Sequence, residues 1–131
     1  MSAEPAQPYA LRDREGTVYD VGVDFTVKLG ELAHGRGVAV MEFTTRHGEE
    51  PPDHTHPTED ELFYVLDGEI TFRSGGRSFD LGPGGFAFLP KGLEHGYSID
   101  GPGDVRLLVI TAPVPGEPGW NGFVGDLERG G

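Results

Sequence analysis

Every apolar run in the middle of this chain is short, and a turn signal closes it. Leu66-Asp67-Gly68-Glu69, Ser74-Gly75-Gly76 and Gly82-Pro83-Gly84-Gly85 cut the stretch from Glu61 to Leu89 into strand-length pieces. With 22 glycines and 11 prolines spread through 131 residues, and no repeat to order them, the chain is punctuated too often for long helices. That pattern selects a turn-rich all-β domain over a disordered or collagen-like chain. The expected strands are Tyr19–Leu29, Gly37–Thr45, Glu61–Leu66, Glu69–Arg73, Ser78–Leu81, Gly85–Leu89, His95–Ile99 and Val105–Thr111. Asp67-Gly68 suits a type I′ hairpin turn, whose two central residues take positive φ. Ser74-Gly75-Gly76 reads as a second hairpin turn. About eight short strands at this spacing predict a sandwich or a barrel.

The chain divides into three parts. Residues 1–16 are polar and Pro/Ala-rich, and read as an arm that orders by docking on a partner. Residues 17–112 hold the strands and form the barrel domain. Residues 113–131 are spaced by proline and glycine, but Trp120, Phe123, Val124 and Leu127 recur at helical intervals. They predict a short terminal helix packed on the barrel, with Trp120 and Phe123 in packing roles. In Leu62-Phe63-Tyr64-Val65-Leu66 both strand faces are apolar, and in Val105-Arg106-Leu107-Leu108-Val109-Ile110 nearly so. A strand of one small barrel should alternate, so the outer face is expected to be covered by the terminal arms or by a second subunit; a homodimer is the expectation.

Charge and cysteine content exclude several functions. The 22 acidic and 10 basic residues leave a formal charge of −12, with no basic patch to neutralise phosphates. Nucleic acid and anionic membrane surfaces are therefore not expected partners. The absence of cysteine rules out disulfides, thiolate metal sites and a cysteine nucleophile. The N-terminal MSAEPAQPYALRDREG lacks an apolar core of signal-peptide length, and no run is long enough to span a bilayer, so a cytoplasmic protein is expected. Gly82-Pro83-Gly84-Gly85 lacks the lysine of a phosphate loop and precedes a strand, and no Ser-His-Asp arrangement stands out.

The chemistry-bearing residues sit in two stretches. GEEPPDHTHPTEDELFYVLDG runs from Gly48 to Gly68 and carries His54, His56 and Glu61; GGFAFLPKGLEHGYSI runs from Gly84 and carries His95. Histidine and glutamate are good ligands for a divalent transition metal. Residues two apart on a strand share a face, so His54 pairs with His56, Glu61 with Phe63 and Val65, and His95 with Tyr97 and Ile99. If the two stretches form neighbouring strands, His54, His56, Glu61 and His95 converge on one interior point. Glu59 and Asp60 compete with Glu61 as the carboxylate ligand, and the parity with Phe63 favours Glu61 over Asp60. His34 and His47 are flanked by glycine and read as exposed loop histidines.

The two stretches resemble the two motifs of the cupin superfamily, G-x5-H-x-H-x3–4-E-x6-G and G-x5-P-x-G-x2-H-x3-N. Gly48, His54, His56, Glu61 and Gly68 complete the first, and Gly84, Pro90, Gly92 and His95 supply the second. Ile99 stands where the second motif has asparagine, which puts in doubt a local hydrogen bond after His95 but not a metal ligand. The resemblance implies an all-β double-stranded β-helix, or jelly-roll, barrel. It also implies one divalent ion (Fe, Mn, Ni, Co, Cu or Zn) held by His54, His56, Glu61 and His95. The run HTHPTEDELFYVLDGEITF is most similar to small single-domain cupins related to quercetin dioxygenase. That likeness implies a dioxygenase for an enol- or phenol-type small molecule, flavonol-, diketone- or polyketide-like, with dioxygen as co-substrate. Glu61 would be ligand and catalytic base, and Phe63, Val65, Phe88 and Tyr97 the pocket wall. Strand parity alone does not decide between Phe86 and Phe88. Tyr97 is either packing or a hydrogen-bond donor to substrate. Two further readings share the ligand set: a non-redox metal enzyme (isomerase, cyclase, lyase or decarboxylase) and a non-enzymatic small-molecule binder.

Overall fold

In the computed structural model, which describes residues 7–30, 37–113 and 122–130, nine strands sort into two antiparallel sheets. They are β1 (Thr17–Asp20), β2 (Asp24–Leu29), β3 (Ala39–Thr45), β4 (Glu59–Asp67), β5 (Ile70–Ser74), β6 (Arg77–Leu81), β7 (Phe86–Leu89), β8 (His95–Ser98) and β9 (Val105–Pro113). Six pair in the order β1-β2-β3-β9-β4-β7, and three in the order β6-β5-β8. This is the all-β jelly roll expected from the turn-punctuated sequence. Among the described residues no helix is long and apolar enough to cross a membrane.

Alternation along each strand decides what enters the core. In β4, Glu59, Glu61, Phe63 and Val65 are buried, while Asp60, Leu62, Tyr64 and Leu66 take the other face. Met41 and Phe43 from β3, and Leu107 and Val109 from β9, join them from neighbouring strands. The second sheet contributes Ile70, Phe72 and Tyr97. Phe63 and Phe72, with ring centroids 4.9 Å apart, bring the two sheets together. Burying a side chain such as Phe72, which is 0% exposed, contributes roughly 1.5–3 kcal/mol.

Two turns differ from expectation. Tyr19–Leu29 is not one strand but the β1–β2 hairpin, in which Asp20 pairs with Asp24. The Asp20 carboxylate accepts the Gly22 amide at 3.0 Å, an Asx turn that the surrounding valines conceal in the sequence. Asp67-Gly68 is not a type I′ hairpin either. β4 and β5 belong to different sheets, so the turn is a corner, and of its two central residues only Gly68 has positive φ, 88°. A Cβ at Gly68 would lie 2.5 Å from the Asp104 carbonyl oxygen, so the corner is packed tightly against the start of β9. Gly75 and Gly76, with φ of 59° and 79°, do make the tight β5–β6 hairpin, with Ser74 opposite Arg77.

The described part of the N-terminal arm docks on its own chain. The Tyr9 hydroxyl donates to the Lys28 carbonyl at 2.6 Å. Asp13 pairs with Arg106, which also holds Glu42, so the Arg106 guanidinium stays protonated and Asp13 is held below the usual carboxylate range. At the other end, α1 (Gly122–Glu128) buries Val124 and Leu127 in the core. Phe123 meets Phe25 edge-on at 4.7 Å. So short a helix is held by this packing, not by propensity. Trp120 and His34 lie outside the described residues.

The outer face of the larger sheet is apolar along two registered rows. Phe88, Leu62, Ile110 and Val40 lie side by side, as do Phe86, Tyr64 and Leu108. Phe86, Phe88 and Tyr64 are 54%, 52% and 43% exposed.

Candidate metal centre

The two motif stretches meet between the sheets. The connection from β3 to β4 carries His54 and His56 in extended backbone, and His54 forms an antiparallel bridge to His95, the first residue of β8. The His54 amide donates to the His95 carbonyl at 2.9 Å and the His95 amide to the His54 carbonyl at 2.8 Å. The Gly92 amide donates to the His56 carbonyl at 2.9 Å. Glu61 enters from β4 in the other sheet. One ligand atom from each of His54, His56, Glu61 and His95 lies within 4.8 Å of all the others.

The ring nitrogens are sorted by their partners. Nδ1 of His54 faces the Pro52 carbonyl oxygen at 3.0 Å, and Nδ1 of His56 faces Oε1 of Glu59 at 3.3 Å. Nε2 of His95 lies 3.2 Å from Oε1 of Glu61, and Nε2 of His56 lies 3.7 Å from the same atom. His56 is held above the ordinary imidazole range, chiefly by Glu59. Both ring nitrogens of His95 are buried with no hydrogen-bond partner among the described residues. Buried polar atoms are rarely left so. An unpartnered His95 nitrogen, with the His56 ring converging on the same carboxylate oxygen, fits a divalent ion that takes three nitrogens and one oxygen as its protein ligands.

The cluster opens onto a cavity of ≈ 330 Å³. Phe25, Met41, Phe43, Phe63, Val109 and Phe123 give it apolar walls, while Thr45, Glu49, Tyr97 and Asp126 add polar groups. Tyr97 is paired with Thr45, and burial pushes its phenol up to about 12, so it stays a neutral hydroxyl near neutral pH. Among the described residues no lysine or arginine lines the cavity.

Of the expected pocket residues, Phe63 and Tyr97 line this cavity and Val65 and Phe88 do not. Val65 is 0% exposed within the core, two residues further along β4. Phe88 points outward, because pairing with β4 turns Ala87 and Leu89 inward instead. Walls from β2, β3, β9 and α1 were not legible as site residues, since no local motif marks them and register alone assembles them. Glu59 was legible in principle, since it shares the parity of Glu61. Ile99 is buried in the core, and its backbone is held from both sides: its amide donates to Glu50 at 3.0 Å and its carbonyl faces Nδ1 of His47 at 2.7 Å. The end of β8 is therefore anchored without the motif asparagine.

A cupin domain profile matches residues 41–111, more than half of the chain. The chain belongs to the cupin family. This cupin is 36% identical over 97 residues to quercetin 2,3-dioxygenase of Bacillus subtilis, across 72% of this chain and 28% of that protein. It is 26% identical over 92 residues to polyketide synthase CurC of Streptomyces cyaneus, across 70% of this chain and 57% of that protein. The chain thus spans less than two-thirds of either relative. Its fold is similar to that of a Thermotoga maritima protein described as a predicted oxalate decarboxylase, with a TM-score of 0.71 at 21% identity, over 81% of this chain and 100% of that one.

Proposed function

We propose that this cupin is a metal-dependent dioxygenase acting on an uncharged enol- or phenol-type small molecule, flavonol-, diketone- or polyketide-like. The observation that carries the reading is a His/Glu ligand cluster at an apolar cavity whose described lining has no cationic side chain. A dicarboxylate or sugar phosphate needs cationic partners when desolvated, whereas a flat, neutral aromatic gains from the Phe25, Phe43 and Phe63 walls. The similarity to quercetin 2,3-dioxygenase supports the same substrate class.

A divalent ion (Fe, Mn, Ni, Co, Cu or Zn) held by His54, His56, Glu61 and His95 would supply Lewis acidity toward the substrate hydroxyl and activation toward dioxygen. The residues do the rest. Glu61, 6% exposed, takes the hydroxyl proton as general base. Phe63 and Phe43 hold the ring and exclude water, and the Tyr97 hydroxyl donates a hydrogen bond to a substrate oxygen.

Metal analysis of purified protein, followed by oxygen-electrode screening against flavonols, diketones and quinones, tests the reading. Stoichiometric transition metal and substrate-dependent oxygen uptake are expected. Full-rate turnover under strict anaerobiosis would replace the dioxygenase by a non-redox metal enzyme.

We further propose that a second copy of the chain covers the outer face of the larger sheet. The rows around Leu62 and Tyr64 form a contiguous apolar patch of the kind monomers rarely leave exposed, and a two-fold contact sets such a patch against itself. Light scattering should give a dimer, and Tyr64→Glu should give a folded monomer. A wild-type monomer at micromolar concentration refutes this.

A further inference from the structure

Glu59 opens β4 and is fully buried, at 0% exposure. An ionised carboxylate in such a place is costly unless something pairs with it. Its neighbour is His56, whose Nδ1 lies 3.3 Å from Oε1, and among the described residues neither carboxylate oxygen has a hydrogen bond of full geometry, that approach included. Glu59 is not itself in the ligand cluster, which consists of His54, His56, Glu61 and His95. It meets the His56 ring at Nδ1, while Nε2 of that ring faces Glu61.

We propose that Glu59 is a positioning residue for the metal centre. Its carboxylate accepts a hydrogen bond from the N–H at Nδ1 of His56, which holds the imidazole in the tautomer whose Nε2 lone pair is free to ligate. Among the described residues the same ring nitrogen of His54 faces the neutral Pro52 carbonyl, whereas the His56 ring has a carboxylate behind it. A carboxylate there raises the donor strength of the imidazole and fixes its orientation. It also completes the charge balance, because a divalent ion with Glu61 and Glu59 both ionised makes a neutral buried cluster. Parity along β4 makes this possible: Glu59 and Glu61 share the inward face, one behind the histidine and one beside the ion's place.

The inference rests on the metal reading of the site, and the experiment separates the two. Metal-free full-length protein is titrated with Zn2+ by calorimetry or chelator competition, in wild type, Glu59→Gln and Glu59→Ala. If wild type binds no Zn2+ at a single tight site, the metal reading fails first. If it binds, Glu59→Gln is expected to weaken affinity by about 10–100-fold and Glu59→Ala by at least as much. The Tm of metal-free Glu59→Gln, which keeps the shape and loses a buried charge, should not fall below wild type. Long-range 1H–15N spectra of the Zn2+-loaded wild type should show His56 protonated at Nδ1, with that proton shifted toward its ordinary position in Glu59→Gln. Wild-type affinity in both variants, or an affinity loss that only tracks a lowered Tm of the metal-free protein, overturns the assignment. Should Glu59→Ala fail to fold, the isosteric Gln variant and the spectra still decide it.

Discussion

Two glycines of the first motif have nearly the same positive φ and differ in their surroundings, so comparing them measures one packing contact. Gly48 has φ of 94° and Gly68 has φ of 88°. Placing an L-residue in this region costs about 1–2 kcal/mol at either position. Alanine also restricts the unfolded chain, which returns about 0.4–1 kcal/mol in both cases. A Cβ at Gly48 meets nothing within 4 Å, whereas one at Gly68 would lie 2.5 Å from the Asp104 carbonyl oxygen and 2.9 Å from Cα of Val105. Those neighbours are backbone and cannot swing aside, so the corner itself must shift, adding about 1–3 kcal/mol. Gly48→Ala should therefore lose about 1 kcal/mol, and Gly68→Ala about 2–4 kcal/mol. For a domain of this size those losses correspond to Tm decreases of about 3–4 °C and about 7–15 °C. Urea unfolding of the metal-free proteins, with the m-value checked for constancy, gives the two free energies directly. The unfolded-state contribution cancels in the difference. Equal losses in the two variants, or a milder one for Gly68→Ala, would refute the argument that the corner is packed against β9.

Other outcomes follow from the same geometry. His95→Ala, at a ligand 3% exposed, should weaken divalent-metal binding by at least about 100-fold; metal content after desalting reads this, and retention equal to wild type would remove His95 from the centre. Excess divalent metal at about 100 times Kd should raise the stability of the wild type by about 2.7 kcal/mol, and chelator should reverse it, as seen in paired melting curves. Glu50 is held below the usual carboxylate range, first by the Ile99 amide and also by that of Gly48. Its stabilisation is therefore fully present above the unfolded pKa and is lost as the pH falls through the lower folded value. Urea titrations should show wild type ahead of Glu50→Gln at about pH 6, with the gap closing toward about pH 3; a gap independent of pH would count against the hydrogen-bond origin. Leu127→Ala, at a residue 4% exposed where α1 meets the core, should cost about 2 kcal/mol, at the low end for buried leucine because a terminal helix can relax; thermal melts check it.

The fold class was legible because glycine and proline mark most strand ends, and the ligand set because its spacing survives in a linear reading. What could not be read is information that exists only between strands. Asp67-Gly68 announces a turn but not the sheet the chain turns into, since turn chemistry is local and sheet membership depends on β9 and β8. Phe86-Ala87-Phe88-Leu89 is apolar at every position, so alternation carries no signal about which side faces the core, and Phe88 falls on the outside. Phe25, Met41, Phe43 and Val109 reach the cavity through the β2–β3–β9 register, which no local pattern encodes. Glu59 was readable as a rival ligand, but beside two other acids in Glu59-Asp60-Glu61 nothing local marks its place behind His56, which strand parity sets.

The bridge between His54 and His95 makes the candidate metal centre a fastening as well as the proposed reaction site. An ion that joins these positions closes the loop holding β4, β5, β6 and β7. A permanent cross-link over a loop of that length would restrict the unfolded chain by about 4 kcal/mol. In a chain with no cysteine, a reversible metal clasp is the available counterpart of a disulfide. Loss of the ion would then loosen the seam between the sheets and silence the proposed chemistry in one event, so starvation for metal would be registered as both a drop in the proposed turnover and a shorter lifetime of the folded protein.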